Sequence, residues 1–281
     1  MSLPHLEHRA RNASSRITLE QWRRHPFVTR LERCIVLNDD DLGSLLRLIE
    51  AEAVIEKRRD VVVDGYEYRK LCFVEDGFAA RYKLLRNGKR QIVNLVLPGD
   101  IVGLPSSFLE RAHYSVIAIT DLKLQVSSIN TYVDLCYERP QFALALSWLA
   151  MQEAVSCAEH AISTGRRTPI ERLAHFLLEI YSRLALVGLA SKSRFDLPFS
   201  QEVMSDALGL SVPHLNRTLA KLRMDGLINL NGRHVEFADL ESLELLGHFQ
   251  PLNLTRIPPA PSQARPLTEP RGSASSGRPS R

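Results

Sequence analysis

The sequence predicts an α+β protein with an antiparallel β jelly-roll sensor domain, a long dimerisation helix and a C-terminal winged helix-turn-helix domain. Three observations predict this order of parts. Short strand-like runs separated by turn residues fill residues 53–128, and an apolar helical seam follows over 141–165. Two capped helices joined by a glycine turn then precede a hairpin in residues 197–237. Strand-rich and helix-rich segments that follow one another in this way are typical of separate α and β layers.

Charge and composition exclude some classes of protein but do not select one. The 281 residues carry a net charge of +4. The segment 251–281 holds five arginines and Glu269 as its one acidic residue, so this segment alone accounts for the excess. Net charge therefore gives no argument for nucleic-acid binding, which has to come from a local motif. Because no apolar run approaches the roughly 20 residues that cross a bilayer and no secretion signal is recognisable, we expect a cytoplasmic protein without a membrane partner.

The pattern along the chain predicts five segments. Residues 1–16 are polar and basic, and residues 251–281 are rich in Pro, Ser and Arg, so we predict a disordered arm and a disordered tail. Between them we predict the jelly-roll sensor domain in 17–140, the dimerisation helix in 141–165 and the winged helix-turn-helix domain in 166–250.

Turn residues between short apolar runs predict the β-rich part. Asn87-Gly88 lies between the runs 81–85 and 91–96. This dipeptide favours a tight hairpin, because both central positions of the turn need positive φ and Asn and Gly adopt it readily. Many short strands with closely spaced turns indicate an antiparallel barrel or jelly roll. Ahead of the strands, residues 17–49 are predicted to be helical, with cap residues starting at Asn38.

Six apolar residues then recur at alternating steps of four and three: Leu144, Trp148, Met151, Val155, Ala158 and Ile162. Such a seam is typical of a coiled coil and predicts that this helix pairs with its copy in a second chain. The alternative is that the stripe packs onto the barrel of its own chain. Ala154, Cys157 and Ala161 form a neighbouring row of small residues, where another backbone could come close.

Residues 197–237 carry the most specific pattern. Ser200 is a good cap for a short helix that ends at Gly209, and Ser211 caps a second helix that ends near Gly226. A tight glycine turn between two short helices is typical of a helix-turn-helix. The strand-like runs on either side of Asn231-Gly232 predict a small hairpin, the wing.

The second of these helices has a polar and basic outer face, because Leu215, Leu219 and Leu222 mark its core side. Such a helix fits the major groove, where Arg217 can donate two bonds to guanine and Asn216 can pair with adenine. The predicted DNA-binding residues are Ser211, Val212, Pro213, His214, Asn216, Arg217, Lys221 and Arg233. Of these, Ser211, His214, Lys221 and Arg233 are placed for phosphates. The alternative is an ordinary helical pair with a solvated face.

In the order of its parts and in several local strings, the chain resembles the CRP/FNR family of bacterial transcription regulators. The strings are Val74-Glu75-Asp76-Gly77, Leu97-Pro98-Gly99-Asp100, Gly165-Arg166-Arg167, Leu208-Gly209-Leu210-Ser211 and Asn216-Arg217. The resemblance implies a cyclic-nucleotide-binding-type jelly roll, a homodimer, a palindromic DNA site and contact with RNA polymerase. We therefore predict a sequence-specific DNA-binding transcription regulator. The alternative is a dimeric sensor or scaffold whose helix-turn-helix binds protein.

The reading helix differs from the family pattern at two positions. Many members carry Glu two residues after the cap and Ser just before the Arg, whereas Pro213 and Asn216 stand at those places. Because Pro cannot accept a hydrogen bond from cytosine, we do not expect the usual half-site. The resemblance does carry over the guanine contact of Arg217.

The effector is not identified by the sequence. Members that bind cyclic AMP carry a Gly-Glu-Leu/Ile string and, further along, an Arg-Ser/Thr pair. Gly99-Asp100-Ile101 stands for the first string, Ala112-His113 replaces the pair, and Arg111 lies one residue early. A buried phosphate needs charge-assisted donors, so cyclic-nucleotide binding is not expected. The candidate effector-pocket residues are Gly99, Asp100, Ile101, Arg111 and His113.

Other cofactors and enzyme activity are not predicted. An iron–sulfur cluster needs several cysteine ligands, and Cys34 is the only cysteine in the first seventy residues. Cys72 and His113 are conceivable haem ligands, but we do not predict haem, since a core thiol and a loop histidine are the simpler interpretation. The four cysteines (Cys34, Cys72, Cys136 and Cys157) are widely spaced and indicate free thiols rather than a metal site. The sequence has neither the His-x-His of a cupin metal site nor the G-x-S-x-G of a hydrolase.

Overall fold

A computed structural model describes residues 11–12, 17–252 and 256. The rest of the predicted arm and tail lies outside the described residues. Where a disordered arm was predicted, strand β1 (Arg11–Asn12) pairs antiparallel with strand β2 (Ala51–Ile55). Within these residues, the structure contains no helix that is long and apolar enough to span a membrane.

Three short helices replace the single helical segment that the pattern predicts for residues 17–49. They are α1 (Leu19–Arg23), α2 (Pro26–Leu31) and α3 (Asp39–Leu46). Each starts after a side chain that accepts a backbone N–H: Thr18, His25 and Asn38. Proline is favoured in the first turn of a helix and cannot continue a preceding one, so Pro26 begins α2 and separates it from α1.

Two antiparallel sheets form the predicted jelly roll. The further strands are β3 (Asp60–Val62), β4 (Lys70–Asp76), β5 (Ala79–Leu84), β6 (Arg90–Val96), β7 (Ile101–Val102), β8 (Ser115–Ala118) and β9 (Leu122–Ser128). One sheet has the order β1-β2-β9-β4-β7 and the other the order β3-β8-β5-β6. The predicted hairpin is confirmed, because β5 and β6 pair around Asn87-Gly88 and Gly88 has a φ of 79°. Apolar residues from both sheets, such as Val74 and Val116, fill the space between them.

Helices α4 (Leu104–Ser107), α5 (Ile129–Glu138) and α6 (Pro140–Gly165) follow or interrupt the strands. The long helix was predicted and is confirmed, whereas the sequence pattern gave no signal for α4 or α5. At 1.5 Å per residue, α6 is about 39 Å long. One of its sides packs against the chain's own core, which includes Phe142, Trp148 and Leu149.

The C-terminal part contains α7 (Pro169–Leu186), β10 (Arg194–Asp196), α8 (Gln201–Leu208), α9 (Val212–Met224), β11 (Ile228–Asn231), β12 (His234–Phe237) and α10 (Leu240–Gly247). Thr168 and Glu171 form a capping box at the start of α7. The three strands form one sheet in the order β10-β12-β11. Ile92 and Leu95 of β6 share a hydrophobic core with residues of α7, α8 and α9, so the barrel and the C-terminal part pack directly on one another.

Candidate DNA-binding surface and sensor site

The helix-turn-helix has the local geometry that its sequence predicts. The Ser200 hydroxyl accepts the N–H of Val203 at 3.3 Å and caps α8. Helix α8 ends at Gly209, whose φ of 64° is in the left-handed region that favours glycine. Helix α9 begins after Ser211 and buries Leu215 and Leu222 completely. The chain therefore turns tightly and presents the other face of α9 outward.

Most of the predicted DNA-binding residues lie on this outer face. Ser211, Pro213, Asn216, Arg217 and Lys221 are exposed on or next to α9, and Arg233 is exposed at the tip of the hairpin between β11 and β12. Val212 and His214 are half-buried. These positions agree with the sequence prediction, and they leave the N-terminal half of α9 open to a major groove.

The two basic residues of α9 that are predicted to contact DNA differ in their partners. The Lys221 ammonium donates to the Asp225 carboxylate at 2.6 Å, one turn further along the helix. The Arg217 guanidinium has neither a hydrogen bond nor an ion pair to any residue that the structure describes. Arg217 is thus free to donate to a guanine edge, while Lys221 must share its charge with an acid.

One residue of this surface was missed by the sequence reasoning. The Asn216 amide nitrogen donates to the Gln201 side-chain oxygen at 3.1 Å, and Gln201 is the exposed first residue of α8. The two residues lie fifteen positions apart in the chain. No sequence signal indicates this contact, because it depends on how α8 and α9 cross.

Comparisons with known proteins identify the family of this chain. Residues 54–136 match the family described as cyclic nucleotide-binding domain, and residues 171–246 match the Crp-like helix-turn-helix domain. The transcriptional activator protein FnrL of Cereibacter sphaeroides is 31% identical over 214 residues, which cover 75% of this chain and 85% of that protein. The chain belongs to the CRP/FNR family. This CRP/FNR protein is a DNA-binding transcription regulator, as its sequence predicts, and its relatives are regulators rather than enzymes.

Two further relatives agree with this assignment. The nitrogen fixation regulation protein FixK of Bradyrhizobium diazoefficiens is 30% identical over 208 residues, covering 74% of this chain and 83% of that protein. The solved structure of FixK2 from Bradyrhizobium japonicum is similar with a TM-score of 0.64 and 28% identity, covering 69% of this chain and 96% of that one. The jelly roll, the long helix and the helix-turn-helix of this CRP/FNR regulator are therefore those of its family.

The exposed face of α6 carries no charged residue. Its large side chains are well exposed: Leu144 53%, Met151 56%, Val155 40% and Ile162 47%. The other exposed residues of this helix between 143 and 165 are Ala143, Ser147, Ala150, Ala154, Cys157, Ala158, Ala161, Thr164 and Gly165. The ionisable residues of α6 (Glu153, Glu159 and His160) are half-buried instead. The helix is therefore more apolar on its outer side than surface helices usually are.

Trp148 corrects the predicted seam. The side chain is only 5% exposed and packs in the core of its own chain, so it contributes no free surface to an interface. Trp148 thus packs on its own chain, as the alternative predicted for the whole stripe, whereas Leu144, Met151, Val155, Ala158 and Ile162 remain exposed. The exposed face is centred on the small residues near Ala154 rather than on the predicted seam.

Of the residues predicted for an effector pocket, Asp100 has charged partners within its own chain. The Asp100 carboxylate is buried and bonds to Arg30 of α2 and, at 2.5 Å, to Arg183 of α7. Burial acts to raise the pKa of Asp100, but the nearby guanidinium groups of Arg183 and Arg30 outweigh it and hold the pKa below its usual value. The carboxylate also accepts the N–H of Leu97 at 2.8 Å. Asp100 is therefore committed to its own chain rather than free for ribose hydroxyls.

The other predicted pocket residues have contacts of their own. Gly99 forms the turn beside Asp100, and Ile101 is buried in β7. Arg111 is exposed and donates to the carbonyl of Gly65 at 3.1 Å. His113 is also exposed, and its carbonyl accepts the ammonium of Lys83 at 2.7 Å. A pocket that combines Arg111 and His113 with Asp100 stays a prediction.

An ion pair inside the barrel mouth connects the sensor to α6. Arg81 is 6% exposed, pairs with Glu153 of α6 and lies over the Tyr114 ring at 4.5 Å from its centroid. A cavity of about 440 Å³ adjoins this pair, between the barrel, α6, α7 and the chain after α10. Its lining includes Arg81, Glu153, Asp100, Ile101, Gln152 and Arg183.

Tyr68 and Cys72 contact each other in the apolar core of the barrel. The Tyr68 hydroxyl lies 3.2 Å from the Cys72 sulfur, and burial raises the pKa of the Cys72 thiol to about 11. Cys72 is fully buried, whereas His113 is exposed in a loop. Among the described residues, all four cysteines are free thiols, and no group of His, Cys, Asp or Glu could hold a metal ion.

Proposed function

We propose that this regulator binds DNA as a homodimer. Helix α6 of each chain packs against its copy, and the two α9 helices read the halves of one palindromic site. The observation that supports this proposal is the uncharged exposed face of α6. A dimer of this kind places its reading helices one DNA turn apart, about 34–36 Å.

The chemistry of the α6 face favours a second copy of the same helix as its partner. Four large apolar side chains spread along about 27 Å of helix form an exposed apolar stripe, which monomeric proteins rarely leave in water. The small residues Ala154, Ala158 and Ala161 allow a second backbone to approach closely. A self-complementary apolar stripe is also what a two-fold interface requires.

For each half-site, we propose that Arg217 donates to guanine and Asn216 pairs with adenine. Ser211, His214, Lys221 and Arg233 then contact phosphates and hold α9 in register. The identity of Pro213 argues against the cytosine contact that its place in the helix would otherwise offer. The half-site therefore contains a guanine and an adenine next to each other or nearly so.

For the sensor, we propose that the effector is not a cyclic nucleotide and that no iron–sulfur cluster is used. The Asp100 carboxylate is engaged by two guanidinium groups, and Arg81, a cation near the barrel mouth, is paired with Glu153. A cyclic nucleotide would have to break one of these buried pairs to gain its phosphate contact, which costs several kcal/mol. Calorimetry with cyclic AMP at tens of micromolar should give no binding heat, and a stoichiometric isotherm would contradict this part.

We also propose contact with RNA polymerase and action in the cytoplasm. The relative FnrL is named a transcriptional activator, and activation by a DNA-bound protein requires contact with the transcription machinery. An exposed segment of the barrel or of the C-terminal part would supply this contact.

Sedimentation of a charged variant tests the dimer. Ala158→Asp places a carboxylate in the middle of the proposed interface, where it would be buried without a partner. We expect wild type to sediment at twice the 31.7 kDa of one chain and Ala158→Asp at that mass itself, with DNA affinity at least 100-fold weaker. Ala238→Asp, at an exposed alanine before α10, is the matched control and should remain dimeric. A dimeric Ala158→Asp would contradict the proposed interface.

A further inference from the structure

We propose that Gln201 is a positioning residue that orients the Asn216 amide for reading adenine. This inference rests on the proposed DNA reading by α9. It adds a residue from the first helix of the motif to the determinants of sequence preference. The observation behind it is the 3.1 Å hydrogen bond from the Asn216 amide nitrogen to the Gln201 side-chain oxygen.

The bond joins two exposed side chains on two different helices. Gln201 is the first residue of α8, directly after the cap Ser200, and Asn216 lies in the second turn of α9. Because α8 is fixed by its cap and by its buried Met204, Ala207 and Leu208, the backbone of Gln201 is held in place. The Asn216 side chain is therefore held from a neighbouring helix rather than from its own.

The bond leaves Asn216 with the groups that adenine needs. A side-chain amide has two N–H donors and one acceptor oxygen. One N–H is used by Gln201, so one N–H and the oxygen remain. In the major groove, adenine offers N7 as an acceptor and its amino group as a donor. The remaining pair of groups on Asn216 matches that edge.

The bond links the orientations of the two amides. With the Gln201 oxygen facing Asn216, a half-turn of the Asn216 amide alone would bring two acceptor oxygens together without a proton between them. Only a joint rotation of both amides would restore a hydrogen bond. Ordering a polar side chain before binding removes part of the entropy cost of the contact, which corresponds to a roughly 3- to 10-fold effect on affinity.

The effect should be limited to one base pair of each half-site. Arg217 has no described hydrogen bond to Gln201 or Asn216, so its guanine contact does not depend on this arrangement. Loss of Gln201 should weaken the preference for adenine and leave the preference for guanine unchanged. A residue that only stabilised the fold, or only contacted phosphate, would lower affinity for all sites equally.

The test compares variants on one selected duplex and on the same duplex with each base pair replaced. Asn216→Ala first defines the base pair that Asn216 reads. We expect Gln201→Ala to reduce the preference at that pair by roughly 3- to 10-fold. Gln201→Glu keeps an acceptor oxygen for Asn216 and should retain the preference, although its negative charge lowers affinity for every duplex. Glu202→Ala, at the next exposed residue of α8, is the control and should keep the wild-type preferences.

The outcomes separate this inference from the proposed function. Wild type that binds no duplex would overturn the proposed function itself. Two results with a selectively binding wild type would overturn the role of Gln201 alone. In one, Gln201→Ala keeps the wild-type base preference. In the other, Asn216→Ala changes the preference at no base pair. Equal melting temperatures of Gln201→Ala and wild type, together with the lost adenine preference, would support it.

Discussion

The arginine on the outer face of α9 and the two arginines in the charged cluster of Asp100, Arg30 and Arg183 have opposite surroundings. Arg217 is exposed, and its guanidinium has no partner among the described residues. Arg30 and Arg183 are largely buried and share the Asp100 carboxylate, with Arg30 also donating to Gln152 at 3.0 Å. Water solvates an exposed guanidinium until a ligand binds, whereas a buried guanidinium needs a partner within the protein. The first arrangement fits the proposed recognition of DNA, and the second joins α2, α7 and the barrel.

The largest expected effect comes from breaking the buried cluster. Asp100→Asn removes the carboxylate and leaves two guanidinium groups with little compensation, so the free energy of unfolding should fall by about 3–5 kcal/mol. Urea unfolding measures this loss. Glu67→Gln, which breaks the exposed pair with Arg69, is the control and should have a much smaller effect. If the two variants were equally stable, the cluster would not join these elements.

Protonation of Asp100 at acidic pH should weaken the ion pairs of the same cluster. The pKa of Asp100 is held below its usual value, so its carboxylate contributes stability above about pH 4, the pKa of an unfolded aspartate. That contribution is lost as the pH falls through the lower, folded value. Urea unfolding between pH 3 and pH 7 should therefore show a steeper acid loss for wild type than for Asp100→Asn. Parallel curves would argue that Asp100 is not held ionised by Arg30 and Arg183.

On the reading face, Arg217→Ala should change DNA binding and leave stability nearly unchanged. The loss of a bidentate guanine contact should cost about 1–3 kcal/mol in affinity and relax the preference at one base pair. Fluorescence anisotropy on matched and substituted duplexes measures both. If Arg217→Ala bound every duplex with wild-type affinity, Arg217 would not read a base. The proposed difference between Arg217 and the buried Arg183 would then be wrong.

The smallest effect is expected at Lys221, which stands between the two cases because it is exposed but paired with Asp225. Lys221→Ala should weaken binding to all duplexes to a similar degree and lower the salt dependence by about one counterion. Its loss should be smaller than that of Arg217→Ala. A change in preference at one base pair would instead make Lys221 a base reader.

The sequence predicts the helix-turn-helix well because all its determinants are close in the chain. Ser200, Gly209 and Ser211 set the ends of two short helices, and the spacing of Leu215 and Leu222 orients the second one. The charged cluster could not be predicted in this way. Asp100 lies 70 positions from Arg30 and 83 from Arg183, so only the folded chain shows that this carboxylate is taken.

Helix α6 shows a second limit of pattern reading. Charged residues usually mark the solvent side of a helix. Here Glu153 pairs with Arg81 and Glu159 with Arg167, so the acidic residues face the chain's own core, while alanines and large apolar residues face outward. The spacing of the apolar residues is compatible with an inward or an outward face of α6. The prediction from this spacing therefore put Trp148 in the interface together with Met151.

Selection of bound duplexes from a random pool, at low salt and without added effector, tests most directly whether paired α9 helices read DNA. We expect an inverted repeat whose halves are centred one helical turn apart, each with a guanine whose preference disappears in Arg217→Ala. A single unrepeated motif, or recovery of no preferred sequence by the wild-type protein, would contradict the account.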